Sequence, residues 1–215
     1  MEKESLFDHA TWGTLDGFIR ELPEPVKLVV WGETDASLGE REALRLGEKL
    51  AERYEIVTFE QRPRRENYDY YPVMGIMRLD GEEEIDNGVR LIGLPAGYQI
   101  NSLVGAIQAV SFRGSRLEGR TRIQLSRLPA DVRLDIEVFT SAESEEGPLV
   151  ATLAAGMAAA SPQIRAFLIA ADVFPQAALR YSVRTIPHTV IDGRVHIQGV
   201  LDEDAMLKQL GRALK

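Results

Sequence analysis

A chain of 215 residues that is 45% hydrophobic and 27% charged has enough apolar side chains for one large core, or for two small ones sharing an interface. Its formal net charge of -8 lacks the basic footprint that nonspecific nucleic-acid binding needs, so no nucleic-acid partner is expected. Zero cysteines exclude disulfide cross-links, thiolate catalysis, iron–sulfur clusters and thiolate zinc sites.

The first ten residues carry no apolar run of signal-peptide length, and no segment reaches the roughly 20 apolar residues of a membrane span. The richest stretch, 149–160, is alanine-rich and short and reads as a buried helix. A cytoplasmic location without a membrane partner is the expectation.

In chain order, Leu6, Trp12, Leu15, Phe18, Ile19 and Leu22 follow a partly helical rhythm until Pro23 and Pro25 stop it, which makes 1–25 a helical extension. Val26 to Trp31 is a short β-branched run, the pattern of a buried strand. A polar turn leads to a helix over 40–53, with Ala43, Leu44, Leu46, Leu50 and Ala51 on one side. Strands are predicted at 54–59 and 72–78, with a turn at Asp80-Gly81, and at 89–92 after Asn87-Gly88. Ile100, Leu103, Val104, Ile107 and Val110 then form a helical face. The basic stretch 113–128 suggests a further helix packed on the first half. The second half repeats the order, with a strand at 132–139, a helix from Pro148, a strand at 165–170 and a short helix at 175–181. Strands at 188–191 and 195–198 and a helix from Asp202 complete it. Each half therefore reads β–α–β–α–β–β–α.

The segment Tyr181-Ser-Val-Arg-Thr-Ile-Pro-His-Thr-Val-Ile-Asp-Gly-Arg-Val195 resembles the cis-proline turn and β-hairpin of thioredoxin and glutaredoxin domains. Gly88-Val-Arg-Leu-Ile-Gly-Leu-Pro-Ala-Gly97 resembles the end of the first domain of the protein disulfide oxidoreductases, glutaredoxin-like proteins with tandem thioredoxin folds. The resemblance spans about residues 26–214. It implies an α/β fold of two tandem thioredoxin-like domains, each a central mixed β-sheet flanked by helices. The expected domains are 26–117 and 132–215, joined by a linker at 118–131.

In that family each active unit opens its first helix with Cys-x-x-Cys. Alignment on Pro148-Leu149 puts the second pair at Ser144 and Gly147, and the first at Ala36 and Gly39. Both motifs are therefore degenerate, and thiol–disulfide exchange by this chain alone is excluded. Glu143, Glu145 and Glu146 would complement the helix start but oppose a thiolate. The resemblance makes Pro72 and Pro187 the cis-proline candidates.

The expected function is thus a redox-inactive relative that binds a protein or peptide at the cis-proline groove of the second domain. Thr185, Ile186, Pro187, Glu143, Ser144, Glu145 and Glu146 would form the site, with Ile186 pairing by its backbone and the glutamates selecting charge. Two alternatives stand beside it. One is glutathione or another small thiol held by Ser144; the other is a structural subunit assembling into a homo-oligomer. No catalytic residue, metal site or cofactor is expected. His188 and His196 would share a hairpin but, without a third ligand, read as surface residues. His9 carries no expected role. Glu82-Glu83-Glu84 reads as a solvated hairpin tip. Arg62, Arg64 and Arg65 beside Tyr68, Tyr70 and Tyr71 read either as a grip for an anion or partner, or as a flexible polar loop.

Overall fold

The apolar run at β1 (Val26–Trp31) is buried along almost its whole length, so it needs a neighbouring strand on each side. In the computed structural model, which describes residues 9–215 and the side chains of 12, 13 and 15–215, β2 (Val57–Arg62) pairs with it in parallel. On its other side β3 (Val73–Asp80) pairs antiparallel, followed by β4 (Glu83–Ile92). The second half uses the same plan. There β5 (Leu134–Thr140) lies between parallel β6 (Ile164–Ala170) and antiparallel β7 (His188–Ile191), with β8 (Val195–Gln198) at the edge. Val89–Ile92 of β4 pairs in parallel with Ala166–Ile169 of β6, which fuses the halves into one eight-stranded sheet of order β2-β1-β3-β4-β6-β5-β7-β8.

The helices are α1 (His9–Ile19), α2 (Leu38–Arg53), α3 (Gln99–Ser111), α4 (Gly119–Leu125), α5 (Gly147–Ala160), α6 (Pro175–Arg180) and α7 (Glu203–Ala213). The main core lies on the face covered by α3 and α5, which pack on each other across the two halves. Their close approach depends on Gly105, because a Cβ there would overlap the Thr152 Oγ1 and stand 3.0 Å from the Thr152 Cβ. The opposite face carries two smaller clusters. Val29, Trp31, Val73 and Met77 lie under Tyr68 and Tyr71, and Phe139, Ile169, Ala177 and Val190 lie under Phe174 and Tyr181. Among the described residues no helix is long and apolar enough to cross a membrane.

Several expectations are corrected. No helix links β2 to β3; residues 63–72 cross as an irregular segment whose Tyr68 and Tyr71 cover the Trp31 cluster while Tyr70 packs on Phe174, so the first half reads β–α–β–β–β–α. The strand expected at 54 starts at 57, because the Tyr54 N–H still bonds the Leu50 carbonyl at the end of α2. The strand expected from 89 starts at 83, just after the Asp80-Gly81 turn; Asn87-Gly88 forms an irregularity inside β4 opposite the Ile76–Met77 step, with Gly88 at φ 72. Glu84 is not a solvated tip either, since Arg62 and Lys27 both pair with it. Finally, α4 packs on α5 and α7 rather than on the first half, because Leu117 ahead of it sits against Gly156 of α5. The expected helix positions Ser5 to Asp8 lie outside the described residues.

Candidate functional site

The start of α2 meets the Tyr71–Pro72 cis turn: a Cβ on Gly39 would stand 3.6 Å from the Pro72 Cδ. A buried carboxylate closes this place. The Ser37 Oγ accepts the Glu40 N–H at 3.2 Å and donates to Glu40 Oε1 at 2.9 Å, a reciprocal cap across Ser37-x-x-Glu40. Glu40 Oε2 accepts the Glu33 N–H at 2.9 Å, and Arg64 grips both oxygens at 3.0 and 2.6 Å from its own perch over the Tyr71 ring. Burial pushes the Glu40 carboxyl up, but Arg64, the Glu33 N–H and Ser37 outweigh it and hold the group below the usual range. Ala36 therefore lies in an exposed turn beside a sealed helix start.

Glu40→Ala is expected to cost about 2 kcal/mol, by orphaning the Glu33 N–H and half of the cap. That corresponds to a melting temperature lower by roughly 4–8 °C. The sign with pH follows from the depressed pKa. The carboxylate's contribution is complete above its ordinary value of 4.5 and is lost as pH falls through its lower folded value. Melting curves of the wild type and Glu40→Gln, compared at neutral pH and below pH 4, should therefore converge in acid.

At the start of α5 the geometry differs. The Ser144 Oγ accepts the Gly147 N–H at 3.1 Å and fixes the first turn. Gly147 lies so close to β5 that a Cβ there would overlap the Thr140 Oγ1 and stand 2.9 Å from the Thr140 Cβ. Thr140 is fully buried, and its hydroxyl has no hydrogen-bond partner among the described residues. Glu143, Glu145 and Glu146 stand exposed in the loop ahead of the helix; its first turn holds no acidic residue, and Glu146 makes no side-chain cap.

The second cis turn, Ile186–Pro187, leads into β7. His188 pairs with Phe139, so the next step of the register sets Pro187 across from Thr140, which Gly147 also meets. Gly147 and Pro187 thus both meet Thr140, and Ser144 joins them through its bond to the Gly147 N–H. Pro187 is buried, and its carbonyl accepts the Gly199 N–H at 2.9 Å. Thr185 and Ile186 are exposed, Ile186 at 41%, and among the described residues no hydrogen bond engages the Ile186 backbone.

Glu143 also reaches a second space. With Glu42, Leu46, Leu94, Tyr98 and Val104 it lines a cavity of about 780 Å³ between α2, α3 and the loop ahead of α5. Gly97 allows this meeting of loops. It has φ 54, a Cβ on it would overlap the Ala142 carbonyl oxygen, and the next residue, Tyr98, donates its N–H to that oxygen at 2.9 Å.

The histidine expectation is corrected in part. His188 is buried, and its Nε2 lies 3.1 Å from Nδ1 of exposed His196, with Tyr181 edge-on to the latter. Among the described residues no cluster of three or more metal-ligating side chains forms. Burial, then the neighbouring His196, pushes the His188 pKa down from 6.5. The neutral ring's contribution to stability is therefore complete above pH 6.5 and lost as pH falls through the lower folded value. The melting temperature should drop on acidification below pH 6.5, and the drop should flatten in His188→Gln.

The Glu40–Arg64 closure was missed in the sequence, although the Ser37-x-x-Glu40 spacing signals a capping box. The polar loop is not a free grip either: Arg62 pairs with Glu60 and Glu84, and Arg64 with Glu40.

Residues 134–211 match the family model described as a thioredoxin domain. The chain resembles the NTD_N/C domain of alkylhydroperoxide reductase AhpF from Enterococcus faecalis (V583) at 21% identity and a TM-score of 0.84, covering 95% of this chain and 99% of that one. It resembles a protein disulfide oxidoreductase from Aeropyrum pernix k1 at 22% identity and a TM-score of 0.83, covering 97% and 94%. No curated protein sequence matches the chain. The chain therefore has a thioredoxin-like fold over almost its whole length and contains no cysteine.

Proposed function

We propose that this protein is a redox-inactive binding module that holds an extended protein or peptide segment along the cis-proline turn of its second half. One observation carries the reading: Ile186 is exposed, and its backbone N–H and C=O are unengaged among the described residues at the mouth of a buried strand. Such a backbone can add a partner strand by main-chain hydrogen bonds. Glu143, Glu145 and Glu146 stand exposed on the loop whose helix meets the same Thr140, so a basic segment is favoured. At the first half's cis turn Arg64 lies over the Tyr71 ring and pairs with Glu40, which seals the helix start beside it.

Panning random peptides displayed on phage against the chain tests this. Extended sequences bearing Lys or Arg should be enriched. Their binding should weaken about tenfold or more, roughly 1.4 kcal/mol, in Ile186→Asp with Glu145→Arg, checked for folding by circular dichroism. Equal binding by that variant would move the function to another surface. Glutathione should give no heat in calorimetry at millimolar concentration, since three exposed carboxylates stand nearby and repel an anionic tripeptide.

A further inference from the structure

Of Arg62 at the end of β2 and Arg64 and Arg65 beyond it, Arg65 alone has no carboxylate within 4.0 Å among the described residues. Its guanidinium lies 4.7 Å from the centre of the Trp31 ring, at the rim of a cavity of about 670 Å³ along the β4–β6 seam. Arg90, Arg133 and Arg165 line the same cavity. Buried Arg90 is held by Asp86 and by the Tyr68 hydroxyl at 2.8 Å, and Arg165 by Asp135 at 2.7 and 2.6 Å. Gly88 makes room for Arg165, whose Cγ would stand 2.8 Å from a Cβ there. Exposed Arg133 donates only to the carbonyls of Ala130 and Val132, and it too lacks a carboxylate partner among the described residues. Four guanidiniums against two carboxylates leave the cavity lining at a formal charge of +2, inside a chain whose net charge is -8.

We propose that this cleft binds a small phosphate-bearing anion of up to mononucleotide size, with Arg65 and Arg133 closing on the phosphate. The two paired arginines, neutralised by Asp86 and Asp135, set a fixed polar floor, and the net positive charge rests on Arg65 and Arg133. The two without carboxylate partners can turn their planar forks onto phosphate oxygens without breaking an ion pair. The volume falls in the range of small-molecule sites, and Tyr68 and Phe167 supply flat walls for a ring.

Calorimetry with pyrophosphate, AMP and adenosine at low ionic strength tests the proposal. Pyrophosphate and AMP should bind and adenosine should not. Tighter binding of AMP would identify a ring-bearing phosphate, and tighter binding of pyrophosphate a bare one. Arg65→Gln with Arg133→Gln, both at exposed positions, should weaken the bound anion about tenfold or more. Lys208→Gln with Arg212→Gln on α7 removes the same charge elsewhere and should leave affinity within about twofold. No binding of either phosphate would overturn the proposal. So would adenosine binding as tightly as AMP, or an equal loss in the α7 variant.

Discussion

A Cys-x-x-Cys rebuilt at the start of α5, by Ser144→Cys with Gly147→Cys, is expected to destabilise the chain before it confers any exchange activity. The obstacle is Gly147, whose added Cβ would overlap the Thr140 Oγ1. Thr140 is fully buried at the end of β5, a strand bracketed by β6 and β7, so neither partner can step aside cheaply. Overpacking of this kind costs about 1–3 kcal/mol, which lowers the melting temperature by roughly 2–12 °C. Thr140→Ala in the same background should recover part of the loss, since it removes the overlapping oxygen and leaves the 2.9 Å contact with the Thr140 Cβ and the contact with the side chain at 144. Ser144→Cys alone should cost about 1 kcal/mol, by weakening the bond to the Gly147 N–H. Three exposed glutamates on the preceding loop would also disfavour a thiolate, so insulin reduction by the double variant should stay at background. Melting curves of the four variants check the series. A Gly147→Cys chain as stable as the wild type would show that α5 is not fixed against β5.

The second large effect lies between the halves. Gly105→Ala on α3 places a methyl group into Thr152 of α5, with the Thr152 Cβ and Cγ2 at 3.0 and 3.1 Å beyond the overlapping hydroxyl. The two helices form the middle of the main core, so a forced separation loosens packing along both. The expected loss is again about 1–3 kcal/mol. Thr152→Ala should rescue most of it, because the remaining Cβ contact needs a shift of only a few tenths of an ångström. The double-mutant cycle in chemical denaturation therefore predicts a favourable coupling of about 1–2 kcal/mol. Independent, additive losses would show that α3 and α5 do not meet at this point.

What could be read from the sequence was local. β1, β7 and β8 have the bounds their apolar patterns suggested, because β-branched runs ended by Pro, Gly or Asp-Gly leave little freedom. The likeness of the whole chain to a two-unit thioredoxin architecture was also legible, through the Ile186-Pro187 hairpin and the Gly93–Gly97 bend. What escaped depends on distant partners. Residues 63–72 lack helical structure because Tyr68 and Tyr71 cover the Trp31 cluster and Tyr70 packs on Phe174, a use that no periodicity encodes. Asn87-Gly88 has the composition of a hairpin turn, yet β4 continues through it to pair with β6 of the other half. Arg64 reaches Glu40 from 24 positions away, so an apparently solvated loop residue proves to seal a helix start. His188 looked like a surface residue because strand polarity alone could not show that α6 and Tyr181 cover its face.

The most direct test of the binding reading is an NMR titration of the uniformly ¹⁵N-labelled chain with the strongest peptide from panning, followed by amide hydrogen exchange on the complex. The account predicts that the amides of Ile186 and of residues 143–147 shift together. It also predicts that the Ile186 N–H, exchanging freely in the chain alone, becomes protected when a partner strand pairs with it. Shifts confined to other surfaces, with Ile186 still exchanging freely in the saturated complex, would contradict it.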